Sequence, residues 1–238
     1  MQADKAITVD AARTGPDFRH VEAWIFDLDN TLYPADSDLF VQVDARMTAY
    51  VQNLLGLDFD AARAVQKAYY RDYGTTLSGL MQVNGIDPES FLASVHDIDL
   101  SVLEPDPSLA SALSCLPGRR FVFTNGCRHH AERVLARLKL ESLFDEIWDI
   151  RTIGYRPKPD QESYRAVLAG TGAVGGRSAM FEDVARNLVP AHALGWTTVW
   201  LRNDSAWSKQ GPEYPVAEPA HIHHVTEDLP QFLHSIRI

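Results

Sequence analysis

The sequence is poor in the features that mark secreted and membrane-embedded proteins. It contains only two cysteines in 238 residues, too few for a disulfide-rich extracellular scaffold. No apolar stretch approaches the roughly 18 residues of a membrane span. The first 20 residues are polar and contain no apolar segment of the kind found in secretory signals. We therefore expect a soluble, cytoplasmic protein with no membrane partner.

Basic residues are also scarce. The chain has 22 lysines and arginines against 32 acidic residues, which gives a formal net charge of −10. Nucleic acid polymers and anionic membranes bind clustered basic residues, so neither is an expected partner. A small anionic substrate remains compatible, provided that a metal and one or two local cations hold it. The length fits one large domain, or a core with a smaller inserted domain.

Helical periodicity dominates the first half of the chain. An apolar run at 21–27 predicts a strand, and apolar residues then recur at spacings of three and four from 39 to about 103. No strand-like alternation interrupts this stretch. The pattern predicts a flexible tail at 1–20, a core made of 21–34 and 109–238, and a small helical insert at 35–108.

Short β-rich runs alternate with helical segments over residues 110–201. Examples are RRFVFT before CRHHAERVLARLKL, and SAMFED before RNLVPAHALG. This alternation is typical of a parallel, doubly wound sheet. After residue 202 an irregular, proline-containing stretch leads to a short strand and a closing helix. The predicted fold is a three-layer, Rossmann-like α/β sheet with an inserted small α-helical domain.

Side chains with chemical uses follow the predicted strands. Ligands of open parallel sheets bind outside the carboxyl ends of the strands, so these side chains should converge at one edge. Acidic groups that meet there repel one another unless a cation lies among them, and hard oxygen ligands favour Mg²⁺ over zinc. A lysine and a threonine would suit phosphate oxygens. The converging residues are Asp27, Asp29, Thr124, Asn125, Lys158, Glu182 and Asp183.

Four motifs resemble those of the haloacid dehalogenase superfamily in order and spacing. They are DLDNT at 27–31, FTNG at 123–126, RPKP at 156–159 and FEDVARN at 181–187. The resemblance extends over residues 21 to 201, and the four motifs are specific only when taken together. It implies a phosphomonoester hydrolase that needs Mg²⁺ and forms an aspartyl-phosphate.

The resemblance also implies a role for each motif residue. Asp27 would be the nucleophile, and Asp29 the general acid and base, whose backbone carbonyl would also bind the metal. Thr124 and Lys158 would hold the phosphoryl oxygens, with Asn125 and Gly126 beside them. The implied metal ligands are Asp27, Asp29, Asp183 and Glu182. Asn187 would contact these ligands rather than the metal itself.

Asp29 favours a phosphatase over a dehalogenase within this superfamily. A released halide needs no proton, and the dehalogenases typically lack a carboxylate at the position of Asp29. A departing alkoxide does need a proton. Alternatives that stay open are a haloacid dehalogenase, a phosphomutase and a non-catalytic binding module.

The helical insert resembles the small cap that closes over the active site in part of the superfamily. The segments YGTTLSGL, VHDIDL and HHVTEDL resemble the pyrimidine 5′-nucleotidase subgroup. The implied substrate is a nucleoside monophosphate such as UMP or CMP, bound by a monomer or homodimer. Other small phosphate esters, such as phosphoglycolate or a sugar phosphate, remain alternatives. The insert and its entry supply candidate substrate contacts, namely Tyr33, Tyr73, Thr75, Thr76 and His96.

Several histidines and one arginine receive no role from the sequence. Arg128, His129 and His130 begin a predicted helix beside the phosphate motif, where capping or exposure would explain them. The cluster His221–His224 has the density of a metal tract, but its alternation predicts a short strand with a polar face.

Overall fold

Six parallel strands form one sheet in the computed structural model, which describes residues 15–203 and 219–238. The order across the sheet is β3-β2-β1-β4-β5-β6, and every neighbouring pair is parallel. The strands are β1 (Ala23–Phe26), β2 (Arg119–Phe123), β3 (Glu146–Trp148), β4 (Ser178–Glu182), β5 (Thr197–Leu201) and β6 (His224–Thr226).

The central strand β1 determines where the site lies. All four of its residues are buried, and since alternate side chains point to opposite faces, both faces of the sheet are covered. The strand pairs with β2 on one side and with β4 on the other. The chain therefore reverses its direction of travel across the sheet beside β1, at the switch point where open α/β sheets bind ligands. The predicted three-layer, doubly wound fold is confirmed.

Four helices follow β1 directly, in the helical insert. They are α1 (Leu39–Leu55), α2 (Phe59–Tyr73), α3 (Thr76–Gly79) and α4 (Pro88–Val95), and a π-helical turn at Leu80–Asn84 follows α3 directly. Asp58 caps α2 by accepting from the Ala61 amide at 2.9 Å, and Asp87 caps α4 in front of a proline at the first helical position. The sequence periodicity predicted helix throughout this region but not the change to a π-helical turn.

Among the described residues, five further helices follow along the chain. They are α5 (Pro107–Ser114), α6 (Arg128–Leu138), α7 (Gln161–Thr171), α8 (Leu188–Ala193) and α9 (Leu229–Ser235). Short 3₁₀ turns lie at Ala35–Ser37 and Leu100–Val102 in the insert, and at Glu141–Leu143, Gly175–Arg177 and Ala185–Asn187 after it. Across both described ranges, no helix combines the length and the hydropathy that crossing a membrane requires.

Residues 15–20 differ from the sequence prediction of a flexible tail. The Phe18 ring is fully buried and stacks on Trp24 with ring centroids 5.8 Å apart. The Phe18 amide donates to the Arg237 carbonyl at 2.8 Å, and Asp17 forms an isolated bridge with Arg237. One apolar ring among polar neighbours thus anchors this segment beside the C-terminus. Residues 1–14, which complete the predicted tail, lie outside the described residues.

Candidate active site

A buried ion-pair cluster lies at the carboxyl edge of the sheet. The Lys158 ammonium contacts Asp27 Oδ1 at 2.6 Å and Glu182 Oε2 at 2.7 Å, and it donates to the Phe123 carbonyl at 2.9 Å. Its side chain is 1% exposed. Each of its three nitrogen–hydrogen bonds therefore has an acceptor, and the lysine joins the ends of β1, β2 and β4.

Asn125 fixes the backbone of this lysine. Its Oδ1 accepts from the Lys158 amide at 2.8 Å, and its Nδ2 donates to the Lys158 carbonyl at 3.3 Å. Both ends of the Asn125 amide are therefore occupied by one residue of a loop 33 positions away. The sequence interpretation placed Asn125 against the substrate; Asn125 lines the cavity described below, and it also holds the lysine loop.

Three carboxylates lie close together, and one neighbouring lysine offsets only part of their negative charge. Oxygen atoms of Asp27, Glu182 and Asp183 lie within 4.8 Å of one another, and all three residues are buried. Burial and then the Glu182 charge raise the pKa of Asp27 to about 7, although Lys158 opposes the shift. Burial and Glu182 likewise raise the pKa of Asp183 well above its ordinary value. One lysine does not offset three carboxylates, so a divalent cation with hard oxygen ligands fits this cluster.

Asp29 is held apart from that cluster by two donors. Tyr33 donates its hydroxyl to Asp29 Oδ1 at 2.7 Å, and His130 Nε2 lies 2.8 Å from the same oxygen. Burial favours the neutral acid, but the charge of His130 and the two hydrogen bonds prevail and lower the pKa of Asp29 to about 2. Tyr33 therefore serves Asp29, whereas the sequence interpretation placed it against the substrate.

Two histidines stack behind Asp29. The rings of His96 and His130 lie with centroids 4.3 Å apart and planes 10° from parallel. His96 comes from the end of α4, and Cys127 Sγ lies 3.2 Å from its Nδ1. Burial and then the neighbouring His130 lower the pKa of His96 to about 3. The stack connects the helical insert to the first turn of α6.

Thr124 and Gly126 form a tight turn after β2. Thr124 is buried, and its Oγ1 accepts from the Gly126 amide at 2.9 Å. A Cβ at position 126 would lie 3.2 Å from that oxygen and 3.3 Å from the His130 ring. Any other residue at position 126 would require Thr124 or His130 to shift by a few tenths of an ångström, so glycine favours the close approach of this turn to α6. Thr124 and Gly126 both line the cavity described next.

A cavity of about 150 Å³ lies between the sheet edge and the helical insert. Of the candidate substrate contacts in the insert, Thr75, Thr76 and His96 line this cavity, whereas the Tyr73 ring packs edge-on against Tyr69 and lies outside it. Thr75 also caps α3 by accepting from the Ser78 amide at 3.1 Å. The helical insert adds a largely apolar wall, consisting of Phe40, Val43, Met47, Leu77, Phe91, Leu92 and Val95.

The sequence interpretation missed Tyr70 and Arg186 as cavity residues. Arg186 lies inside the fourth motif, and its guanidinium carbon is 4.6 Å from the centroid of the Tyr70 ring. The position of Arg186 within the FEDVARN motif could have identified it as a site residue. Asn187 also lines the cavity; its Oδ1 is buried and without a hydrogen-bond partner among the described residues, while its carbonyl accepts from the Tyr164 hydroxyl.

The arginine and histidines that received no role from the sequence either make contacts within the fold or are exposed. Arg128 donates to the Ile147 carbonyl at 2.6 Å, and His129 is exposed. His223 Nδ1 lies 2.8 Å from Thr198 Oγ1, and His221 Nε2 lies 3.0 Å from the Ala185 carbonyl. The histidine segment thus contacts β5 and the turn at Ala185, and its strand begins only at His224, so the alternation predicted a strand too early.

The sequence matches a known protein family. Residues 21–195 match the family described as haloacid dehalogenase-like hydrolase. Phosphate metabolism protein 8 of Saccharomyces cerevisiae is 28% identical over 153 residues, which are 60% of this chain and 46% of the yeast protein. The chain thus spans less than half the length of that relative. Glyceraldehyde 3-phosphate phosphatase of Methanocaldococcus jannaschii is 24% identical, over 82% of this chain and 90% of that protein.

A solved structure shows the same fold at low identity. CbbY from Rhodobacter sphaeroides, in complex with phosphate, superposes with a TM-score of 0.63 and 15% identity, covering 89% of this chain and 96% of that one.

Proposed function

The chain belongs to the haloacid dehalogenase-like hydrolases, and on that premise we propose that it is a Mg²⁺-dependent phosphomonoesterase acting on pyrimidine nucleoside 5′-monophosphates. The observation that carries the proposal is the pair of carboxylates with different surroundings. Asp27 is bound to Lys158, whereas Asp29 is bound to Tyr33 and His130. Two carboxylates in unlike environments are what separate nucleophilic and proton-transfer roles require.

Asp27 performs the first displacement in this proposal. Its Oδ1 is occupied by Lys158, so Oδ2 attacks phosphorus while the bond to the ester oxygen breaks. The negative charge of the bound phosphoryl group raises the pKa of Asp29 above its value of about 2 in the free protein, so that Asp29 takes up a proton and delivers it to the departing oxygen, which leaves Asp29 as a carboxylate. The Lys158 charge reduces repulsion between the nucleophile and the phosphoryl group.

Water completes the cycle in the second displacement. Asp29 takes a proton from the attacking water, the acyl–phosphorus bond breaks, and Asp27 is regenerated with release of phosphate. Asp27, Glu182 and Asp183 would hold Mg²⁺, which supplies positive charge to the phosphoryl oxygens. The similarity to a glyceraldehyde 3-phosphate phosphatase and to CbbY in complex with phosphate supports phosphoryl chemistry.

The residues that line the cavity favour a substrate with a planar, apolar group beside its phosphate. The rings of Phe40, Tyr70 and Phe91 line it together with the hydroxyl-bearing Thr75. Aromatic surface with a few polar groups is suited to a nucleobase. Ligand sites usually measure about 300 Å³ or more, so the helical insert would have to move outward to admit a nucleotide.

The cavity volume favours a second candidate of the same reaction class. At about 150 Å³ it would hold a short phosphate ester, such as a triose phosphate, with little opening of the insert. The archaeal relative named for glyceraldehyde 3-phosphate also fits this candidate.

A phosphate-release screen separates the two candidates. UMP, CMP, AMP, glyceraldehyde 3-phosphate and phosphoglycolate would be compared at equal concentration, with Mg²⁺ and with EDTA. We expect the highest kcat/KM for the pyrimidine nucleotides and loss of turnover with EDTA. Preference for the triose phosphate would select the second candidate. Asp27→Asn should abolish turnover; a folded variant with near-normal rate would exclude the mechanism, as would the absence of phosphate release from every ester.

A further inference from the structure

We propose that His130 is a positioning residue that, with Tyr33, immobilises Asp29 so that Asp29 Oδ2 is the atom that exchanges the proton with the departing oxygen. The inference rests on the proposed phosphomonoesterase activity and assigns a role to a histidine outside the four motifs. Its basis is the arrangement of donors around one carboxylate and the packing behind them.

Both donors meet the same carboxylate oxygen. Tyr33, four positions after Asp29 in the chain, donates to Asp29 Oδ1 at 2.7 Å. His130, in the first turn of α6, contacts the same oxygen at 2.8 Å. Within residues 15–203 and 219–238, no hydrogen bond or ion pair involves Oδ2. Rotation of the carboxylate would break both bonds at once. Oδ1 is therefore fixed, and Oδ2 is the oxygen available for proton transfer.

His130 is itself unsuited to exchange protons with a substrate. The ring is fully buried, and its Nδ1 has no hydrogen-bond partner in the part of the chain that the structure describes. Since the Asp29 carboxylate requires a donor, a hydrogen on Nε2 points to its Oδ1. The substrate cavity is lined by Asp29 and His96 but not by His130. Its influence on the reaction must pass through Asp29.

The stacked His96 ring holds the plane of His130. With centroids 4.3 Å apart and planes 10° from parallel, the two rings cannot turn independently. The insert supplies His96, and Arg133 of α6 donates to the His96 carbonyl at 2.8 Å. The orientation of Asp29 therefore depends on contact between the helical insert and α6.

A simple packing role for His130 gives a different experimental signature. A buried histidine that only fills space would affect all substrates equally when replaced. A residue that orients the proton donor would matter most when the departing oxygen is strongly basic. 4-Nitrobenzyl phosphate releases an alkoxide, whereas 4-nitrophenyl phosphate, nearly the same in shape, releases a stabilised phenolate that needs little protonation.

The test compares kcat/KM for these two esters, because that ratio reports steps only up to departure of the leaving group. General acid catalysis contributes about 10²- to 10⁴-fold. For His130→Ala we expect a loss of about 100-fold with 4-nitrobenzyl phosphate, and a much smaller loss with 4-nitrophenyl phosphate. His130→Gln, whose amide can donate to Oδ1, should recover much of the loss. His129→Ala, at the exposed neighbouring position, should change neither rate.

Tyr33→Phe keeps the test decisive if His130→Ala does not fold. It removes only the donating hydroxyl and should give the same selective loss, smaller in size. Equal losses on both esters for the folded variants, or no loss on either, would overturn the inference while leaving the phosphomonoesterase proposal intact. Failure of the unaltered protein to hydrolyse either ester would overturn both.

Discussion

Arg186 joins the catalytic core to the helical insert. Its guanidinium carbon lies 4.6 Å from the centroid of the Tyr70 ring in α2, and its Nη2 donates to the Gly74 carbonyl at 3.2 Å. The arginine follows Asp183 by three residues, so the chain segment that makes this contact is the one that carries part of the carboxylate cluster. A planar guanidinium can stack and donate at the same time, which a lysine ammonium cannot.

Replacement of Arg186 by lysine should therefore weaken the closed arrangement of the insert. Loss of a cation–π contact and a charged hydrogen bond is worth roughly 1 to 2 kcal/mol, so we expect kcat/KM for 4-nitrophenyl phosphate to fall about tenfold. Arg165→Lys, at an exposed position of α7, is the matched control and should have no effect. If Tyr70 and Arg186 act together, the double variant with Tyr70→Leu should lose little more than the worse single variant. Additive losses would contradict a shared contact.

Glu89, in the first turn of α4, forms a second contact between the helical insert and the rest of the chain. It pairs with Arg151 at 2.6 and 2.7 Å and accepts from the Tyr155 hydroxyl at 2.7 Å. The Arg151 hydrogen bonds, and then that of Tyr155, lower the pKa of Glu89 to about 2. Because the folded pKa lies below the unfolded value of about 4.3, the pair stabilises the fold at neutral pH. That contribution is lost as pH falls from about 5 towards 2.

Glu89→Gln should accordingly destabilise the protein at pH 7 by less than about 1 kcal/mol, since the pair is half-exposed. The difference in free energy of unfolding between the two proteins should shrink at pH 4. Urea unfolding at both pH values measures it, and high salt should reduce it at pH 7. A difference that grows on acidification would contradict the assignment.

The sequence predicted the residues at the sheet edge better than those behind them. Asp27, Thr124 and Glu182 were predictable because short apolar runs identify strands, and parallel strands end at a common edge. His130 was not, because its partner Asp29 is 101 positions away and meets it only through the register of α6. Phe18 escaped notice because a single ring has no periodicity.

The cap residues show a different limit of sequence reasoning. Tyr70 and Tyr73 are both in α2, but only Tyr70 lines the cavity, because the Tyr73 ring packs against Tyr69 near the end of the helix. The choice between them depends on how α2 meets its neighbours, which the helical period alone does not specify. Asn125 was placed at the correct edge, but its partner, the backbone of Lys158, comes from a loop without a recognisable pattern.

Removal of one carboxylate should stabilise the metal-free protein. Asp183→Asn replaces a buried carboxyl group, whose pKa is raised by burial and by Glu182, with a neutral amide. The change removes the cost of keeping that carboxyl charged or of protonating it, which is roughly 1 to 3 kcal/mol at an effective dielectric near 20. Thermal unfolding in EDTA should show a higher Tm for the variant than for the unaltered protein. Addition of Mg²⁺ should raise the Tm of the unaltered protein and affect the variant much less. Asp36→Asn, at an exposed position, should respond to Mg²⁺ as the unaltered protein does. An equal Mg²⁺ response in Asp183→Asn would exclude this residue as a ligand.

Gly79 should be intolerant of even one added methyl group. It ends α3, where a Cβ would overlap the Cβ and Cγ of Tyr69 in α2. Relief requires the two helices to separate, and overpacking of this kind costs typically about 1 to 3 kcal/mol. Gly79→Ala should lower the free energy of unfolding by that amount, as measured with urea.

Gly176→Ala is the matched control for Gly79→Ala. No atom lies within 4 Å of a Cβ at position 176, and its φ is outside the left-handed region, so the change should be neutral or stabilising by up to about 1 kcal/mol. The two variants should also differ in catalysis. Because α3 begins at Thr76 and is capped by Thr75, and both threonines line the cavity, displacement of α3 by the added methyl group should raise KM for 4-nitrophenyl phosphate. Equal stability and KM in the two alanine variants would contradict the close packing of α2 and α3 as the support of this wall.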